Sequence, residues 1–187
     1  MNHIMNKQAD IIFTDEQQQL LEIAETFSGD KSPMDAVRRQ LEAETSITPE
    51  LWREIADLGW LGIAIPEEYG GSGLGLGEVV AIVEPMGRKL FSSPLISTTL
   101  AAQAILQGGS DEQKSHWLPQ LAGGTVAALA LTEAHGDWDL TNLTCTATRD
   151  GDKLRLSGGK TFVTDAPMAG LFLVSAELDG EPHVVLL

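Results

Sequence analysis

GGTVAALAL, residues 123–131, divides this chain into two kinds of structure. A glycine pair is followed by an uninterrupted apolar run, a pattern typical of a strand that is buried on both faces. The segments before it have helical periodicity, whereas the segments after it have the alternation and turn residues of strands. This order predicts an α+β fold in which helices and strands are segregated along the chain rather than alternating.

The part before residue 123 contains several helix-start signals. Two of these signals are capping boxes, formed by Thr14 with Gln17 and by Ser110 with Gln113. The other two place a capping residue before a proline, at Ser32-Pro33 and Thr48-Pro49. The segment 94–107 is nearly uncharged, which predicts a helix that is buried on most sides. We therefore expect an all-α domain over residues 1–122.

The part after residue 122 predicts an antiparallel sheet over residues 123–187. Four strands follow the apolar run, and the first two are joined at the hairpin signal Asp150-Gly151: residues 143–148, 153–156, 171–176 and 183–187. The last strand ends in HVVLL without a polar tail, and its sheet needs further strands to close or cover the edge. We therefore expect the chain to be a fragment or one part of a larger assembly.

Composition excludes several classes of function. The chain has 187 residues, and its 12 basic against 27 acidic side chains give a net charge of -15, which disfavours binding to nucleic acid. A single cysteine, Cys145, allows neither an internal disulfide nor a multi-cysteine metal site. Residues 1–10 do not have the pattern of a signal peptide, and no apolar run is long enough for a membrane helix. These features predict a soluble, cytoplasmic protein.

Two motifs that invite a catalytic interpretation do not support one. EYGGSGLGLGE, residues 68–78, fits neither GxGxxG nor GxSxG, so we interpret it as a tight loop between helices. LALTEAHGDWDL, residues 129–140, contains three acidic residues and a histidine. Solvation and turn capping are favoured over an acid/base pair for Glu133 and the two aspartates, and a solvated turn is favoured for His135.

A backbone argument gives the second half of the chain a possible binding role. A strand that ends at Leu131-Thr132 presents amide and hydroxyl groups outward, and GGKTFVTDAP, residues 158–167, repeats that chemistry. On a strand, Phe162 and Thr164 would point to the same side. An aromatic ring beside a hydroxyl would suit a flat heteroaromatic ligand, although Phe162 fits a core position equally well.

Several segments in order resemble the acyl-CoA dehydrogenases, a family of flavoproteins. The segments are FTDEQQQLLEIAETF, LWREIADLGWLGIAIPEEYGGSGLG, GSDEQKSHWLPQLAGG, LALTEAHGDWD and LSGGKTFVTDAPMAGLFLVSA. The resemblance implies a helical N-terminal domain, a β-barrel middle domain that is incomplete here, and a C-terminal four-helix domain that is absent. It also implies FAD-dependent α,β-dehydrogenation of an acyl-CoA thioester, with hydride transfer to the flavin.

The resemblance assigns roles by position. It implies five flavin contacts: Leu129, Leu131, Thr132, Phe162 and Thr164. It places Ile96 and Leu100 in the acyl pocket, and it places Trp138 where the family usually has a substrate-contacting serine. The family's catalytic glutamate belongs to the C-terminal domain, so we expect no catalytic residue in this chain and no dehydrogenase activity from it alone.

The resemblance also implies partners and leaves alternatives open. It implies an electron-transfer flavoprotein or a similar electron acceptor, and a homodimer or homotetramer at full length. The bulky Trp138 keeps open a non-catalytic or degenerate partner subunit of the same fold. A related flavin monooxygenase or nitroalkane oxidase is the other alternative.

Overall fold

The computed structural model describes residues 13–151 and 153–187, so the segment tested for a signal peptide, residues 1–10, lies outside the described residues. Six α-helices come first in the described chain: α1 Asp15–Lys31, α2 Met34–Leu41, α3 Pro49–Asp57, α4 Leu76–Arg88, α5 Leu95–Gly108 and α6 Asp111–Ala122. Five strands follow: β1 Ala127–Ala130, β2 Thr146–Asp150, β3 Lys153–Ser157, β4 Leu171–Leu178 and β5 Glu181–Leu186. The predicted segregation of helices and strands is confirmed.

A helix follows each of the four predicted helix starts, and three of the four capping residues are confirmed. Thr14, Thr48 and Ser110 each accept a hydrogen bond from a backbone N–H in the first turn of the helix that follows. The predicted capping role of Ser32 is wrong, because Pro33 takes the N-cap position of α2 and no side chain caps that helix. Ser32 instead ends α1, and its hydroxyl donates to the carbonyl of Lys89 at 2.9 Å.

The strands form one open sheet that is mixed rather than wholly antiparallel, which corrects that part of the prediction. β2–β3 and β4–β5 are antiparallel hairpins, but β1 and β2 both run parallel to β4. Forty residues separate the end of β1 from the start of β4, and a connection of that length allows the two strands to point the same way. Within the described residues, β4 is the central strand of the sheet.

Helix α5 joins the helical part to the sheet. Seven of its residues are buried, which confirms the prediction for this segment, while Ile96 and Leu100 remain exposed on its outer side. The hydroxyl of Thr98 accepts a hydrogen bond from the N–H of Ala127 in β1, at 3.2 Å. Leu118 and Leu121 of α6 are buried in the same apolar cluster as β1 and β4.

The glycine-rich segment is a tight loop, as predicted. Ser72, Gly73 and Leu74 donate backbone hydrogen bonds to the carbonyls of Gly62, Ile65 and Ile63. The loop therefore folds back on the chain that leads into it, and no phosphate cradle is needed to explain its glycines. No helix among residues 13–151 and 153–187 is long and apolar enough to cross a membrane.

Candidate functional site

The candidate site lies at a break in one edge of β4. β1 pairs with Leu171–Val174, and β2 pairs with Glu177 and Leu178 on the same edge. Residues 131–145 leave the sheet between these two pairings, so Ser175 and Ala176 have no strand partner there. Backbone and side-chain polar groups beside such a break need partners from elsewhere in the chain.

The side chain of Glu133 lies at this break, next to the start of β2. Its side chain is buried and accepts hydrogen bonds from the N–H groups of Thr144 at 2.8 Å and Cys145 at 2.9 Å. The hydroxyl of Thr144 donates to the same carboxylate. The prediction that Glu133 is a solvated loop residue is therefore wrong, because its carboxylate ties the end of β1 to the start of β2.

Lys160 fills the other side of this break. Its ammonium group donates to Oε1 of Glu133 at 2.8 Å, to Oγ of Ser175 at 2.8 Å and to the carbonyl of Leu131 at 3.3 Å. These three bonds match the three donors of an ammonium group. The side chains of Lys160 and Glu133 are 7% and 2% exposed, so this is a buried ion pair.

The environment of Glu133 fixes its charge. Burial alone would raise the pKa of its carboxyl, but the hydrogen bonds from Lys160, Thr144 and Cys145 outweigh burial and hold the pKa far below its usual range. A general base that works near neutral pH needs a pKa near that pH. Glu133 is therefore a fixed anion of the scaffold and is unsuited to proton transfer.

The loop after Glu133 is held by its own short side chains. Asp137 accepts hydrogen bonds from the N–H of Asp139 at 2.9 Å and from the amide of Asn142 at 3.0 Å. Asp139 accepts from both the N–H and the hydroxyl of Thr141. These hydrogen bonds lower the pKa of both carboxyls. The interpretation of the two aspartates as turn-capping residues is confirmed.

His135 and Trp138 occupy the outer part of the same loop. Nδ1 of His135 accepts from the N–H of Asp137 at 3.2 Å, so Nε2 carries the proton and donates to Glu133 at 3.2 Å. His135 is a surface residue as predicted, but it also links the loop to the buried ion pair. Trp138 is 84% exposed.

The second predicted segment is irregular, so the strand on which Phe162 and Thr164 would share a face is not present. Phe162 has a φ of 54° and Asp165 a φ of 61°, both incompatible with an extended strand. Phe162 is 91% exposed, which excludes a core position. The N–H of Thr161 donates to the carbonyl of Thr132 at 2.8 Å, so the two candidate segments lie side by side.

A small cavity of about 180 Å³ brings together four of the eight predicted site residues. Ile96 and Leu100 from α5 line one side, and Leu129 and Thr164 line the other. The remaining four do not line this cavity: Leu131, Thr132, Trp138 and Phe162. Two of the five flavin assignments and both acyl-pocket assignments thus meet at this cavity.

Asp165 is a lining residue that the sequence interpretation missed. Its carboxylate accepts hydrogen bonds from the hydroxyls of Ser46 at 2.9 Å and Ser97 at 2.7 Å. It therefore connects the loop before β4 to α5 and to the segment before α3. The TDAP turn gives a local signal for a polar residue in a left-handed turn conformation, but nothing in the sequence indicates its distant partners.

A larger cavity, of about 720 Å³, lies between α3 and the start of β1. Trp52, Arg53, Gly124 and Met168 are among its lining residues. None of the eight predicted site residues lines it. Among the described residues, no group of three or more His, Cys, Asp or Glu side chains is arranged to hold a metal ion.

Comparison with known proteins identifies the family of this chain. Residues 14–125 match the model of the acyl-CoA dehydrogenase N-terminal domain, and residues 128–187 match the model of the acyl-CoA dehydrogenase middle domain. The chain belongs to the acyl-CoA dehydrogenase family. The two matched regions meet close to Gly123-Gly124, where helices give way to strands.

Three proteins show the extent of the similarity. Acryloyl-CoA reductase (NADH) of Anaerotignum propionicum is 34% identical over 91% of this chain and 44% of its own length. A variant of the Tcur3481-Tcur3483 steroid ACAD is 38% identical with a TM-score of 0.83, over 92% of this chain and 47% of that one. An acyl-CoA dehydrogenase of Bacillus anthracis complexed with FAD is 29% identical with a TM-score of 0.81, over 94% of this chain and 31% of that one. The chain spans less than half the length of each.

Proposed function

We propose that this chain forms the flavin-contacting part of an FAD-dependent acyl-CoA dehydrogenase. The observation that carries the proposal is the hydrogen bond from the N–H of Thr161 to the carbonyl of Thr132, which holds the two candidate flavin segments together. It is supported by the family membership and by a relative whose structure is described as complexed with FAD.

The residues of these segments fit a flavin. The N–H groups of Leu131 and Thr132 and the hydroxyls of Thr132 and Thr164 donate no hydrogen bond to any of the described residues. The hydroxyl of Thr161 is buried and also has no described partner. An isoalloxazine ring carries several carbonyl and ring-nitrogen acceptors along one edge, and such donors match them. The exposed ring of Phe162 offers an aromatic surface at the same place.

Bound FAD would supply the redox chemistry by accepting a hydride from the substrate's β-carbon. The chain's own contribution is to bind and orient. Thr132 and the adjoining N–H groups would hold the polar edge of the ring, and Phe162 would lie beside its face. Ile96 and Leu100 would offer apolar surface to the acyl chain, because both are exposed and line the small cavity with Leu129 and Thr164. Electrons would leave to an electron-transfer flavoprotein or a similar acceptor.

A visible spectrum tests this function. The protein expressed from its complete reading frame should be yellow, and it should lose this colour when an acyl-CoA substrate is added without an electron acceptor, because the flavin is then reduced. A colourless protein that takes up no FAD would contradict the proposal. A yellow protein that no acyl-CoA bleaches would contradict the dehydrogenase activity and leave the flavin site standing.

Trp138 favours a second candidate, a partner subunit of the same fold that does not itself dehydrogenate. Its indole stands where the family usually has a small serine, and it is largely exposed on a loop fixed by Asp137 and Asp139. The similar Tcur3481-Tcur3483 steroid ACAD is named for two components. If Trp138 blocks substrate, Trp138→Ser should lower the dissociation constant for acyl-CoA and leave FAD affinity unchanged. Equal acyl-CoA affinities in the two proteins would contradict this candidate.

A further inference from the structure

The buried pair of Glu133 and Lys160 has no role in the function proposed so far. Neither side chain lines the small cavity, and the charge of Glu133 is fixed. A buried ion pair is weak evidence for stability, because the cost of removing two charges from water can exceed their attraction. Its position at the break in the sheet, between both candidate flavin segments, gives a different explanation.

We propose that Lys160 and Glu133 are positioning residues for flavin binding: they hold the Leu131–Thr132 peptide and the 161–164 segment in the relative geometry that the ring requires. The inference rests on the proposed FAD site. It assigns to the pair no contact with the flavin and no proton transfer. It predicts that the pair sets flavin affinity by a route that is separate from global stability.

The N–H donors of Lys160 lie beside the Leu131–Thr132 peptide. One donates to the carbonyl of Leu131, which also accepts from the hydroxyl of Ser175 at 3.1 Å. This carbonyl belongs to the peptide whose N–H is contributed by Thr132. With its carbonyl side fixed to β4, the peptide plane is fixed, and the direction of the Thr132 N–H follows from it.

Lys160 also directly precedes the other candidate segment, residues 161–164. Thr161 and Phe162 follow Lys160 in the chain, and the N–H of Thr161 donates to the carbonyl of Thr132. The ammonium group and this N–H therefore fasten consecutive residues of one segment to consecutive carbonyls of the other. Phe162 has a φ of 54° and is almost fully exposed, so this fastening is what locates its ring.

Glu133 connects Lys160 to the start of β2 on the other side of the break. Its carboxylate fixes the ammonium group on one side and the N–H groups of Thr144 and Cys145 on the other. The loop that carries Trp138 is thereby closed at both ends. A ligand site gains precision when such supporting bonds lock the groups that touch the ligand.

Two variants separate positioning from folding. Lys160→Met keeps most of the apolar stem and removes the ammonium group, but it leaves Glu133 buried without its partner, so it is expected to be less stable. Glu133→Gln combined with Lys160→Met removes both charges, and replacing a whole buried pair is often tolerated. The matched control is Arg149→Met, which breaks the exposed ion pair between Arg149 and Asp179 in the same sheet.

Two measurements on the purified proteins test the proposal. Quenching of FAD fluorescence gives the dissociation constant. The double variant should bind FAD roughly tenfold or more weakly than wild type even if its melting temperature is unchanged, because the Leu131 carbonyl has lost its charged donor. Hydrogen exchange should be faster at the amide of Thr161 in the double variant, because its hydrogen bond to the carbonyl of Thr132 is weakened, while β4–β5 amides keep their protection. Arg149→Met should change neither measurement.

The outcomes are distinguishable. Wild-type affinity for FAD in a folded double variant would overturn the positioning role and leave the proposed function intact. Wild-type protein that binds no FAD would overturn the proposed function and the role in flavin binding together. In that case unchanged exchange at Thr161 in the double variant would also overturn the fastening itself.

Discussion

Glu133 and Asp165 are the two carboxylates that hold the candidate site together. Each accepts hydrogen bonds from residues that are distant in sequence, Glu133 from Thr144, Cys145 and Lys160, and Asp165 from Ser46 and Ser97. The loop of residues 134–142 lies outside this framework and is held by its own turn hydrogen bonds. At the scale of residues, the acidic groups of the site are therefore structural supports.

Acidification should remove the contribution of Glu133 to stability. The pKa of Glu133 is lowered from 4.5 in the folded protein, so its ionised form stabilises the fold above that pH. The contribution is lost as the pH falls from about 5 toward the lowered pKa. In urea denaturation at several pH values, wild type should lose more stability between about pH 5 and pH 3 than Glu133→Gln combined with Lys160→Met. Parallel pH profiles would show that Glu133 makes no such contribution.

Asp165→Ala should destabilise the fold by about 1.5–3 kcal/mol, because it leaves two serine hydroxyls without their acceptor and places alanine at a φ of 61°. Asp165→Asn is the matched variant, since asparagine tolerates this conformation and the serine hydroxyls can reorient toward its amide. Chemical denaturation of both variants measures the difference. Equal losses would mean that the hydrogen bonds and the backbone conformation do not matter.

These supports show the limit of prediction from sequence at the residue scale. Local bonds were predictable, so the turn-capping role of Asp137 and Asp139 followed from the sequence. The buried role of Glu133 could not be predicted from the sequence, because its main partner, Lys160, is 27 residues away. Only the pairing of β1 and β2 with β4 brings the two residues together. The sequence pattern puts Phe162 on a strand, because periodicity cannot reveal a left-handed residue that is not glycine.

The secondary-structure elements were predicted best where one local signal decides them. Capping residues located the starts of α1, α3 and α6, and composition identified α5 as a buried helix. The direction of the strands was not local information. Hairpin signals predicted β2–β3 correctly, but the parallel pairing of β1 with β4 depends on a long connection that the sequence pattern does not orient.

The glycine-rich loop allows a prediction at this scale. A Cβ atom on Gly71 would lie 2.0 Å from the carbonyl oxygen of Ile65 and 2.5 Å from that of Gly62, so Gly71→Ala must displace backbone. At Gly70 a Cβ atom meets nothing within 4 Å and faces only the strain of a positive φ. In thermal unfolding, Gly70→Ala should cost about 1–2 kcal/mol and Gly71→Ala clearly more. Equal melting temperatures would contradict the close approach.

At the scale of the whole molecule, the helices and the sheet together build the candidate site. α5 supplies Ile96 and Leu100, while the sheet and its loops supply Leu129, Thr132, Phe162 and Thr164. Asp165 and Thr98 link the two parts by hydrogen bonds. The ordered family motifs predicted this combination, whereas the boundary between domains at residues 122 and 123 stays a prediction.

The central claim is that the Leu131–Thr132 and 161–164 segments contact the flavin, and the FAD affinity of Thr132→Val tests it most directly. The control is Thr148→Val, which removes an exposed hydroxyl from β2 of the same sheet. Titration of each protein with FAD, followed by fluorescence quenching, should show affinity reduced about three- to tenfold for Thr132→Val and unchanged for Thr148→Val. Thr132→Val protein that folds and binds FAD as tightly as wild type would contradict the claim.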